Sequence, residues 1–128
     1  MYTENMTVLA ECPVAISVKI TPWDMECLAC DAGLFGSWWG VLRLNPETNV
    51  IRAVVANPDN NEQWARYRIT PQRVANAISE LIENGWDTRY PSGALSEFAA
   101  TGDFGGGYDS VVADGILQQA IFDEIIYG

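Results

Sequence analysis

The apolar residues near the end of the chain constrain its fold more than any other stretch. Val112, Ala113, Ile116, Leu117, Ala120, Ile121 and Ile125 keep the spacing of a helix that buries one face. Asp109 and Ser110 stand at its start. There a short side-chain oxygen can accept from free backbone N–H groups, and a negative charge suits the helix dipole. The pattern predicts a helix over about 109–127 that reaches the end of the chain and belongs to the core.

Upstream, Val14, Ile16, Val18 and Ile20 alternate as one face of a strand. Thr21-Pro22-Trp23-Asp24 is a helix start, with a hydroxyl cap, proline in the first turn and an acid at the third position. That helix is expected over about 22–32. Gly33-Leu-Phe-Gly-Ser-Trp-Trp-Gly40 follows, a glycine and aromatic element expected to send Trp38 or Trp39 into the core. Strands are expected near 38–44, 50–56 and 64–69, joined by Asn45-Pro-Glu-Thr-Asn49 and Asn57-Pro-Asp-Asn-Asn61. Such short links imply an antiparallel meander. Thr70-Pro71 repeats the helix-start device, with Val74, Ala77, Ile78, Leu81 and Ile82 as the apolar stripe and Gly85 as the stop. A short helix is expected around 94–100.

The fold class is therefore α+β: a small antiparallel sheet of three to four strands, packed on one side by about three helices. At 128 residues the chain is expected to form a single domain, 1–128, with residues 1–11 loosely held. No apolar run approaches the length of a membrane span, and the N-terminus lacks a basic signal-peptide start. A soluble protein without membrane contact is the expectation.

Charge is the next constraint. Asp and Glu number 17 against 7 Lys and Arg. The excess is concentrated after residue 73, where Arg89 is the only base among nine acids. Such a region repels a nucleic-acid backbone and attracts basic surfaces, so a basic partner is favoured and direct nucleic-acid binding is not expected. Histidine is absent, which removes the commonest general base and metal ligand. Cys27-Leu-Ala-Cys30 has the spacing of half a zinc site but lacks a second pair of ligands. It also falls inside the first helix rather than at its N-terminus, unlike a redox pair. Both cysteines are expected to act as small buried hydrophobes, with no metal or cofactor bound.

Two candidate surfaces emerge. The last helix offers Asp109, Asp114, Gln118, Asp123 and Glu124; Asp114 and Gln118 are four apart and share a helical face. These oxygens lack calcium-loop spacing, and nothing orients a substrate between carboxylates, so a solvated or partner-binding face is the expectation. The second surface lies on the sheet. Strand alternation turns Trp64, Arg66 and Arg68 away from the helices, with Arg43 and Arg52 on the neighbouring strands. Four arginines beside an indole can hold a phosphate, a nucleotide or a single strand, or can pair with acids from the C-terminal half. Gly102-Asp-Phe-Gly-Gly-Gly107 precedes a helix but lacks the Walker lysine, and its aspartates would repel phosphate. No nucleophile elbow or dinucleotide fingerprint is present, and a non-enzymatic role is expected.

The C-terminal segment also resembles the ending of a family of small, mostly uncharacterised bacteriophage proteins. Asp109, Asp114, Leu117, Gln118, Ile121, Phe122, Glu124, Tyr127 and Gly128 carry the resemblance, together with the glycine and tryptophan element at 33–40. The resemblance implies a phage origin and residence in the cytoplasm of a bacterial host, without supplying an activity. Joined to the acidic charge, it suggests an accessory protein that binds and inhibits a host complex with a basic surface. A nucleic-acid-handling defence system is the natural target, which would make the protein an anti-CRISPR or anti-restriction inhibitor acting by nucleic-acid mimicry. The alternatives are a module binding a nucleotide or signalling molecule on the arginine face, or a virion assembly protein. Oligomeric state is not indicated.

Overall fold

The computed structural model describes residues 18–32, 39–57, 60–86, 93–104 and 108–126. The order is α1 (Pro22–Ala32), β1 (Trp39–Asn45), β2 (Val50–Asn57), β3 (Asn60–Ile69), α2 (Pro71–Glu83), α3 (Ala94–Thr101) and α4 (Ser110–Phe122). The fold is α+β, with an antiparallel meander in the order β1-β2-β3. The expected strand at 14–20 lies mostly outside the described residues; its described part, 18–20, is not in a strand. The glycine-rich stretch 33–38, Trp38 included, also lies outside them, as does the side chain of Trp39.

Capping chemistry starts three of the helices as the sequence indicates. The Thr21 hydroxyl accepts from the Asp24 backbone N–H at 3.2 Å, while the Asp24 carboxylate accepts from both the Thr21 N–H and hydroxyl at 2.8 Å. This reciprocal pairing lets Asp24 be buried. Thr70 caps α2 through the Arg73 N–H, and Asp109 caps α4 through the Val112 N–H.

One face of the sheet carries Leu42, Leu44, Ile51, Ala53, Val55, Tyr67 and Ile69, which pack on the core. The helices supply Met25 and Leu28, Ile78 and Leu81, Leu95 and Phe98, and Ile116 and Leu117. Tyr67 meets Phe122 edge-on at 6.1 Å between ring centroids, joining β3 to the end of α4. Phe98, Phe104 and Tyr108 stack in succession at 4.2 and 4.4 Å.

Three features depart from the sequence reading. First, α4 is buried all round: every residue from Val112 to Ala120 is buried, whereas one apolar face was expected. It packs against both α1 and α2, so its polar positions face protein rather than water. At Gly115 a side chain would meet the Trp86 ring at 2.8 Å, which marks how closely Trp86 crosses the helix. Second, α4 ends at Phe122, short of the expected end near 127. Asp123 adopts the left-handed conformation with φ 61°, and its N–H bonds back to the Gln119 carbonyl. Arg73 of α2 then donates to the Ala120 carbonyl at 2.6 Å and to the Asp123 carboxylate at 2.9 Å. The last carbonyls of α4 thus find a cation, and the chain turns away. Third, the cysteines are not a buried pair: Cys27 is half-buried, Cys30 is exposed, and both are free thiols.

Candidate anion-binding face

The acidic set of the last helix does not form one surface. Asp114 is 3% exposed and Gln118 1%. The Gln118 amide donates to the Asp114 carboxylate at 2.6 Å, and its carbonyl oxygen accepts from the Ile126 N–H at 2.8 Å. The pair tethers the returning C-terminal segment to the helix. This corrects the expectation that Asp114 and Gln118 face a partner: a helix enclosed between two others has no solvated side at these positions. Asp109, Asp123 and Glu124 are exposed. Asp109 caps one end of the 13-residue helix and the other two follow its opposite end, about 20 Å away at 1.5 Å per residue. Asp123 is already paired with Arg73.

The sheet face opposite the helices is organised differently. Register places Arg43, Arg52 and Arg68 directly opposite one another across the three strands. The adjacent row is Val41, Val54 and Arg66. With strands about 4.8 Å apart, each row is about 10 Å across. All four arginines are exposed. Among the described residues none of them makes an ion pair or a side-chain hydrogen bond, and the one ion pair is that of Arg73 with Asp123. Among the described residues, no C-terminal acid pairs with these arginines. Like charges directly opposite on adjacent strands destabilise a sheet, so the row holds repulsion with no described carboxylate to offset it.

Two hollows flank Arg52. One, of about 700 Å³, is lined by Arg52, Arg66 and Arg68 with Asn45 and Thr48 of the first hairpin. The other, of about 450 Å³, lies between Arg43, Arg52, Val41 and Val54. At the far end of the face stands Trp64, 57% exposed. Its ring reaches across β2 to lie over Gly40 of β1, where a side-chain carbon would come within 3.2 Å of the indole. Gly40 falls at an irregularity in the β1–β2 pairing, between the Trp39 and Val41 pairs. Sequence reasoning identified the four arginines and Trp64. It missed Gly40 as the seat of the indole and the Val41–Val54 pair as the apolar floor between indole and arginines. The signal for Gly40 was a small residue inside a strand, a common mark of a bulge or a close approach.

Burial, then the nearby Asp31, Asp24, Cys30 and Glu26, push the Cys27 thiol above its ordinary range, so it is held protonated rather than as a nucleophile. Among the described residues the buried Tyr108 hydroxyl makes no hydrogen bond of good geometry, and burial, followed by the hydrogen-bonding and charge influence of the nearby Asp31, drives its ionisation far above the usual value. Among the described residues no three His, Cys, Asp or Glu side chains come together to hold a metal ion. No helix among them is long and apolar enough to cross a membrane.

Comparisons with protein-family models, with curated proteins and with solved structures find no match to this chain.

Proposed function

We propose that this protein is a small binding module whose working surface is the arginine-bearing outer face of its sheet, and that it takes a phosphate-bearing ligand there. The cross-strand row of Arg43, Arg52 and Arg68, which has no ion pair among the described residues, supports this reading. Guanidinium forks match phosphate oxygens bidentately, and a polyanion relieves the repulsion within the row. The distribution of charge agrees. Residues 39–69 hold four arginines and three acids, while the rest of the chain holds fourteen acids and three bases. The face is a cationic island on an acidic protein, which favours a compact anion over an extended one.

In the phage setting implied by the sequence resemblance, such a module serves as an accessory protein that removes a phosphorylated signalling molecule from a host defence system. This replaces occupation of a basic channel by an acidic helix, because two of the five residues that reading needs are buried. Calorimetric titration with a short inorganic polyphosphate tests the proposal. Binding should weaken as salt rises, and Arg52→Ala should lower affinity about tenfold or more, the value of one charge-assisted hydrogen bond of about 1.5–3 kcal/mol. Lack of binding by the parent protein, or equal binding by the variant, would contradict it.

A further inference from the structure

We infer that the ligand of the sheet face carries an unpaired nucleobase, which stacks on Trp64 while its phosphates lie over the arginines. The inference rests on the proposed anion-binding role of that face and deepens it. Three observations carry it.

The first is the indole itself. Trp64 is 57% exposed although it is among the largest apolar side chains. It is nonetheless not loose, because its ring lies against Gly40, two strands away. The six-membered side of the ring is seated against this glycine, while more than half of the side chain remains exposed to take a second flat ring. Stacking of this kind tolerates any base, since every base has a π-face.

The second is the order of groups along the strands. From Trp64 the same face of β3 continues to Arg66 and Arg68, at steps of about 7 Å per two residues. Val41 and Val54 are paired beside Arg66, and Arg43 and Arg52 are in line with Arg68. The face therefore grades from aromatic through apolar to cationic. A nucleotide grades the same way, from base through sugar to phosphate. The two hollows on either side of Arg52 offer a place for more than one phosphate group.

The third is what surrounds the face. Outside residues 39–69 the excess of acids is eleven. A duplex presents a phosphate charge for about every 1.7 Å of its axis, on both strands, and would extend past the island onto this acidic remainder. Its bases are also stacked inside and out of reach of Trp64 without flipping. A free nucleotide or one to three residues of a single strand cover only the island. This reverses the expectation, drawn from overall charge alone, that the protein avoids nucleic acid: the charged side chains aligned across the described rows of this face are all arginines.

Fluorescence anisotropy on the full chain at low salt tests the inference. The probes are a labelled eight-residue oligothymidylate, the same backbone with abasic sites throughout, and a labelled hairpin duplex. The oligothymidylate should bind at least about tenfold more tightly than either of the others. Trp64→Ala should remove most of that advantage, and Trp64→Phe should keep part of it. Trp64 is largely solvent-exposed, so both variants should fold, as circular dichroism would confirm. Competition with free thymidine monophosphate identifies the source: displacement at concentrations near those of the oligonucleotide assigns a free nucleotide, and displacement only at large excess assigns a strand, either result supporting the inference. Equal binding of the abasic or duplex probe, or an unchanged preference in Trp64→Ala, would overturn the nucleobase while leaving the anion face standing. No binding of any probe would overturn both.

Discussion

Arg73 and Arg52 are about twenty residues apart in the chain and stand in opposite circumstances. Arg73 is fully engaged. It donates to the Ala120 carbonyl, pairs with Asp123 and closes the end of α4. Arg52 sits at the centre of a row of like charges with no ion pair among the described residues. The same contrast holds for the regions they represent. In the helical layer even polar groups find structural work, as Asp114 and Gln118 do beneath the C-terminal segment. On the outer sheet face, charged and aromatic groups are held in register without a described partner. A residue type does not mark a binding surface. What separates the two regions is whether the fold itself satisfies the group.

The largest effects should come from the helical layer. Leu117→Ala and Leu81→Ala each truncate a fully buried side chain and should cost about 2–5 kcal/mol in urea unfolding. A loss below about half a kcal/mol would place those stripes outside the core and break the comparison at its base. Gly115→Ala drives a methyl group into the Trp86 ring and should cost about 1–3 kcal/mol. Gln118→Ala should cost about as much, because it leaves the buried Asp114 carboxylate and the Ile126 N–H each short of a partner. Unchanged stability in Gln118→Ala would return Asp114 and Gln118 to the solvated surface that the sequence alone suggested.

The sheet face should respond in the opposite sense. Replacing Arg43, Arg52 and Arg68 together by Ala should leave the unfolding free energy within about half a kcal/mol of the parent, or raise it, since exposed groups contribute little and the row repels itself. A clear loss of stability would show that the row supports the fold. A smaller effect concerns alkaline pH. Tyr108 ionises far above its ordinary value of 10.0 in the folded chain, so the unfolded state releases this proton first. Its contribution is complete below the unfolded value and is lost as pH rises through the folded one. Tyr108→Phe should therefore unfold less readily than the parent above about pH 10, with little difference at neutral pH. Similarly small, Asp123→Asn with Glu124→Gln should change stability by less than about half a kcal/mol, because both groups are exposed.

Much of this fold is legible in the sequence where chemistry is local. Thr21-Pro22, Thr70-Pro71 and Asp109 announce three helix starts, and the alternation Trp64, Arg66, Arg68 gives the outer face of β3 correctly. What local pattern does not reveal is what lies on the other side of a helix. The spacing of Asp114 and Gln118 reads equally well as a solvated face, and only the packing of α1 and α2 about α4 decides otherwise. Gly115, unusual inside a helix, was the available sign that something crosses there. The end of α4 was misplaced for a similar reason, since Arg73, which closes it, is 47 positions from Ala120. For the sheet, the arginines were visible, but their alignment in one row depends on a register that no single strand encodes.

The central claim is that the sheet arginines, unlike Arg73, await an external anion. The most direct measurement is the NMR spectrum of the arginine side-chain Nε–H groups, assigned by substitution and followed as inorganic pyrophosphate is added. The account predicts that the signals of Arg43, Arg52, Arg66 and Arg68 move together and saturate, while that of Arg73, already committed to Ala120 and Asp123, stays in place. Movement of Arg73 with the four sheet signals at rest, or no saturable movement in any of them, would contradict it.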